Sequence, residues 1–173
     1  MLEAAILVLF PFCMVYAAVS DALSMTIANR VSILLVASFL ILAPLTGMAL
    51  PDVGLHLLAG AAVLAITFVL FAIGGMGGGD AKLMAATAVW FGFDTGLMSY
   101  LLISAIAGGF LTLALLMFRN SNIGLLAGTF APLRYIADSK AGIPYGIALG
   151  FGGLAAYGDT PLMQWALTKL AAG

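Results

Sequence analysis

Hydrophobic positions run through this chain in long stretches, broken by short polar or glycine-rich segments. Windows long enough to cross a bilayer predict six helices, over about 3–20, 31–50, 55–73, 81–93, 97–118 and 143–157. The fourth is only just long enough to cross. The breaks are "DALSMTIANR", "PDVG", the glycine loop "GGMGGGDAKL", the turn Asp94-Thr95-Gly96, and the longer polar stretch "RNSNIGLLAGTFAPLRYIADSKAG". A short tail follows the sixth helix. The first apolar run ends in small residues that a signal peptidase would accept, but it has no basic n-region, only Glu3. It is therefore expected to stay as a span. The pattern predicts an all-α membrane protein, with residues 1–173 forming a single integral domain.

Composition strengthens that picture. Of the 173 residues, 64% are hydrophobic and 8% charged, against about a quarter charged in soluble domains. The six basic residues are scattered and the net charge is −1, so no basic stripe exists for nucleic acid. One cysteine, Cys13, and one histidine, His56, both in apolar surroundings, cannot build a disulfide framework or a His/Cys metal cluster. No metal and no cofactor are expected.

Charge also orients the six spans. Arg30, Lys82, Arg119, Arg134 and Lys140 fall in or beside loops one, three and five, and only Lys169 falls on the other side. Basic residues mark the cytoplasmic loops. Both termini are therefore expected to face outward. Trp90 and Trp165 are expected as interface anchors, and Gly142, Gly146 and Gly150, four residues apart, as a stripe that lets the last helix pack closely.

This sorting puts two carboxylates at one membrane boundary. Asp21 ends the first helix and Asp80 opens the fourth. If the bundle packs those ends together, the pair has the makings of an aspartyl dyad, in which one carboxylate deprotonates a water and the other, protonated, polarises a peptide carbonyl. Each acid alone also suits a solvated helix cap. The glycines 77–79 would let the backbone take positive φ or approach a neighbour closely. The loop is not a phosphate cradle: Asp80 follows Gly79, and Lys82 precedes Leu83 where a Walker motif needs Ser or Thr. Asp138 reads as part of a polar loop.

Three segments carry a resemblance. "GGGDAKLMAA" resembles the second catalytic motif of the type IV prepilin peptidases, bacterial members of the GxGD intramembrane aspartyl proteases. "SDALSMTIANRVS" resembles their first motif, with Ala28 in place of the proline of an Ile-Pro-Asn pattern, and "GIPYGIALG" resembles the segment that opens their last helix. The resemblance implies a GxGD-type bundle in the bacterial cytoplasmic membrane, with Asp21 and Asp80 catalytic at the cytoplasmic side. Asn29, Gly77, Gly79, Lys82, Pro144 and Tyr145 would bind substrate or shape loops, Lys82 as a membrane anchor or as a cation that keeps a nearby carboxylate ionised.

The implied substrates are prepilins or pseudopilins, whose short basic leader is cut just ahead of an apolar helix. The chain lacks the cysteine-bearing insertion of larger relatives that methylate the new N-terminus, so no methyltransferase activity is implied. Its size resembles that of the minimal peptidases of tight-adherence, or Flp, pilus systems. Membrane lipid is the other expected partner, and no oligomeric state is implied. Two other classes stay open: a small proton-coupled transporter with acids at helix breaks, and a noncatalytic subunit of a pilus or secretion assembly.

Overall fold

The computed structural model describes residues 1–121 and 142–172. Arg134, Asp138 and Lys140 lie outside the described residues. Every regular element among the described residues is helical: α1 (Leu2–Ser24), α2 (Asn29–Leu45), α3 (Leu50–Ala72), α4 (Gly78–Phe91), α5 (Thr95–Arg119), α6 (Gly146–Ala156), a 3-10 turn (Tyr157–Asp159) and α7 (Pro161–Ala171).

Three helices, α1, α3 and α5, are long and apolar enough to cross a membrane. At 1.5 Å per residue they run about 35–38 Å, beyond the roughly 30 Å of bilayer hydrocarbon. Their outer faces carry Val8, Phe12, Leu58, Ile66, Phe68, Leu102 and Phe110, each more than half exposed. Apolar surface on this scale marks a face that does not meet water. The apolar α2 is shorter, at 17 residues, and α4 has 14.

Several element ends depart from the sequence pattern for local reasons. "PDVG" is the first turn of α3 and not a loop, because proline fits the opening positions of a helix and Asp52 favours its positive end. α2 stops at Leu45, just after Pro44, and Gly47 turns the chain at φ +91°. The expected tail is in fact helix α7, started by Thr160, whose hydroxyl accepts from the Met163 amide, with Pro161 next to it.

The helices alternate in direction, and α4 is the axis of the bundle. All of its residues from 85 to 91 are buried, and it packs on α2, α3 and α6. A helix enclosed over its last two turns offers the bilayer no broad apolar stripe. This overturns the expectation for Trp90, which is no interface anchor: it is fully buried, and its indole N–H donates to the Leu35 carbonyl at 2.9 Å.

Around Trp90 the core is aromatic. Phe10 stacks on Tyr157 with ring centres 4.4 Å apart and lies 5.1 Å from Trp90, and Phe91 stacks on Tyr100 at 5.3 Å. His56 stacks on Phe39, and its Nδ1–H donates to the Val89 carbonyl at 2.8 Å. The Tyr157 hydroxyl donates to the Ile6 carbonyl, tying the start of α1 to the end of α6. The opposite end of the bundle gathers the end of α1 and the starts of α2, α4 and α6.

Candidate active site

That second end is built on glycine. Gly146, the first residue of α6, sits against Asp21 so closely that a β-carbon there would lie 2.8 Å from the Asp21 Cβ. The contact brings a hydrogen bond: the Gly146 amide donates to Asp21 Oδ2 at 2.7 Å. This amide is one of the N–H groups that a helix start leaves without an internal partner, and the helix dipole adds to its pull on a carboxylate. Asp21 is buried, yet it is held by the backbone of a segment 125 residues away in the chain. Just beyond it, Met25 ends α1 in the left-handed conformation at φ 53° and donates its amide to the Asp21 carbonyl at 2.8 Å.

Asp80 is mounted differently. The N-cap of α4 is Gly77, so Asp80 lies in the first turn, with its carboxyl turned back against Gly77. Three residues past the cap is the position from which an acid can face the open amides of a helix start. A β-carbon on Gly77 would come within 2.7 Å of Asp80 Oδ2. The glycines 77–79 therefore act through space rather than through unusual backbone angles. Gly74 is the residue of this loop with positive φ, at +78°. Gly78 lies under the Phe71 ring and Gly79 against Ile27.

Asp21 and Asp80 line one cavity of about 630 Å³, together with Met25, Met76, Thr112 and Tyr145. The two carboxyls are close enough for the charge of one to act on the other. They reach the cavity from α1 and α4, so the site has the parts for moving a proton between water and a bound group.

The other residues singled out in the sequence divide between this cavity and its surroundings. Tyr145 lines the cavity and lays its ring on Gly108 of α5, where a β-carbon would fall about 2.2 Å from the phenol. Pro144 is buried one residue earlier, and its carbonyl accepts from the Ile147 amide, so it precedes α6 and does not lie inside it. Lys82 points away from the aspartates: its ammonium donates to Asn29 Oδ1 at 3.0 Å, joining the starts of α4 and α2. The packing stripe of α6 is Gly146, Gly150 and Gly153, all against α1, whereas Gly142 faces open space.

Some contributors carry no chemical signal in the sequence. Ile27 wedges between two helix starts, with its Cβ 3.3 Å from a β-carbon placed on Gly79 and its Cδ1 2.9 Å from one placed on Gly146. Tyr100, Ser104, Gly108 and Thr112 recur every fourth residue of α5 and face inward, Thr112 at the cavity. That small and polar period inside an apolar run was the available signal for α5.

No curated protein and no solved structure matches the chain. The sequence model of the type IV leader peptidase family matches residues 8–113, a stretch that carries both Asp21 and Asp80. With the match spanning more than half of its 173 residues, the chain belongs to the type IV leader peptidase family.

Proposed function

We propose that the chain is an intramembrane aspartyl endopeptidase that removes the short basic leader of prepilins or pseudopilins, with Asp21 and Asp80 as its catalytic dyad. The observation that carries this reading is the shared cavity, into which two carboxyls 59 positions apart in the chain are turned, each lying against a helix-start glycine. Membership of a leader peptidase family supplies the reaction class.

The chemistry follows from the pair. Carboxyls that share one site do not both ionise readily, so the pair holds one proton. The ionised member takes a proton from water, and the resulting hydroxide attacks the scissile carbonyl. The protonated member donates to the carbonyl oxygen as it gains charge and then helps the amine depart with a proton. The Gly146 amide keeps one Asp21 oxygen occupied, leaving the other for water.

The chain is read as crossing the bacterial cytoplasmic membrane six times with both termini outward. α2, α4 and α6 then complete the count alongside the three long spans, and the cavity opens at the cytoplasmic boundary. Arg30, Lys82 and Arg119 all sit at that end of the bundle, consistent with basic residues facing the cytoplasm. A substrate whose apolar helix lies in the bilayer and whose basic leader stays in the cytoplasm would bring its scissile bond to the same level. The small size favours Flp-type prepilins, and no methyltransferase activity is expected.

The test is cleavage of a co-expressed Flp-type prepilin, followed as a mobility shift, with membrane levels of each variant measured. Asp21→Asn and Asp80→Asn should each stay folded and lose at least about 100-fold in rate, the lower range for positioned acid–base groups. Cleavage by either folded variant at the wild-type rate would remove the dyad. Loss of proton-coupled flux with cleavage intact would return the transporter reading, and assembly defects alone would return the scaffold reading.

A further inference from the structure

A second concavity, of about 600 Å³, lies between α2, α3 and α4. Its walls are apolar, lined by the exposed Leu40, Ala61 and Leu64 and the buried Ala85 and Val89, and among the described residues its only cation is at one end. There Lys82 and Asn29 join, beside Ser32. Lys82 is exposed, its hydrogen-bond partner is the neutral Asn29 amide, and among the described residues no carboxylate forms a salt bridge with it. An apolar trough ending in an uncompensated ammonium at a membrane boundary has the charge pattern of a phospholipid with its sign reversed.

We propose that this groove holds one anionic phospholipid, with an acyl chain along α2 and α4 and the phosphate at Lys82, Asn29 and Ser32. The inference rests on the placement of the chain in a membrane and not on the catalytic assignment. A substrate helix fits the site less well for two reasons. Asp80 and Lys82 are two residues apart on one helix, about 200° around its axis, so the groove and the aspartate cavity lie on opposite sides of α4. A basic leader would also meet the like charge of Lys82. The lipid would brace α4 from behind, on the face turned away from Asp80.

The test is native mass spectrometry of the full chain, purified in mild detergent and mixed with equal amounts of phosphatidylglycerol and phosphatidylcholine carrying the same acyl chains. Wild type should retain one phosphatidylglycerol with about fivefold preference, the scale of one lysine at an anionic surface. Lys82→Gln should lose the preference while still retaining lipid. Ala61→Phe, at an exposed position lining the groove, should lose retention of both lipids. Asp80→Asn should retain phosphatidylglycerol as wild type does, which separates a failure of this site from a failure of the dyad.

The proposal is overturned if wild type shows no preference or if Lys82→Gln keeps it. It is also overturned if a prepilin displaces the lipid one for one, which would give the groove to the substrate. Should Ala61→Phe fail to fold, the surface change Lys82→Gln decides alone.

Discussion

The two ends of the bundle are held together by different means. Around Trp90, seven large rings and the indole and imidazole hydrogen bonds fill the space between helices. Around Asp21 and Asp80 the helices meet through glycines and the backbone-to-carboxylate bond from Gly146 to Asp21, and a cavity remains. The aromatic end fixes α4 in place, and the glycine end uses that fixity to present two acids into open volume. On the proposed function, stability and chemistry are thereby separated along one helix, on which Asp80 and Phe91 lie eleven positions apart.

The largest expected effect breaks the aromatic end. Trp90→Ala removes a fully buried ring and its indole hydrogen bond to the Leu35 carbonyl, which keeps the Ser38 hydroxyl as a donor. Deletions of this size cost about 3–5 kcal/mol. The expected outcome is a large fall in thermal midpoint in detergent, with cleavage lost in proportion to folded protein. Cleavage lost from a fully folded Trp90→Ala would show that the two ends are not separable.

Next comes Gly146→Ala, which tests the other end. Its β-carbon would meet the Asp21 Cβ at 2.8 Å and Oδ2 at 2.9 Å, so the carboxyl must move. A displacement of about 1 Å at a reacting group can cost about 100-fold. Prepilin cleavage should fall by about that factor, while the thermal midpoint falls much less than in Trp90→Ala. Gly77→Ala should behave alike, through Asp80 Oδ2 at 2.7 Å.

Ile27→Ala should have a smaller effect of the same kind. Ile27 touches Asp80's helix at Gly79 and Asp21's partner at Gly146, so trimming it loosens the relation between the acids without touching either. The expected result is about a tenfold drop in kcat, or about 1.4 kcal/mol, with KM little changed. A change confined to KM would make Ile27 a substrate contact and not a spacer.

How far the sequence shows these features depends on what kind of contact each residue makes. Long apolar runs mark α1, α3 and α5 because crossing a membrane demands length and hydrocarbon, both visible in one dimension. The acids stand out as charges at helix ends, and the structure places both in one cavity. Trp90 misleads because a tryptophan near a turn resembles an interface anchor, and only packing reveals that α4 is enclosed. The glycines are legible in part: close approach to a neighbour is expected of them, but 77–79 take no positive φ, and only the fold shows which side chain lies opposite each. α7 escapes notice because eleven residues that include Gln164 and Lys169 look like a polar tail. Ile27 and Gly108 show only through pattern, Ile27 as the first residue of the Ile-Ala-Asn segment and Gly108 in the fourth-residue period of α5, since each by itself is one more apolar or small residue in an apolar chain.

The smallest expected effect concerns the bond that joins the starts of α2 and α4. Asn29→Ala removes the acceptor of the Lys82 ammonium. Both groups are exposed, so water replaces the lost partner, and the net cost of such a hydrogen bond is about 0.5–1.5 kcal/mol. The comparison between the ends makes the direction specific. If the aromatic end alone sets the position of α4, the thermal midpoint and the cleavage rate should both shift slightly, by less than in Ile27→Ala. If the rate instead falls as far as in Gly146→Ala while the midpoint holds, the Asn29–Lys82 bond is setting the angle at which α4 carries Asp80. Asn29→Asp sharpens the reading: it restores an acceptor for Lys82 and adds a charge, so it should recover the midpoint, and recovery of the rate with it would assign the loss in Asn29→Ala to the bond itself.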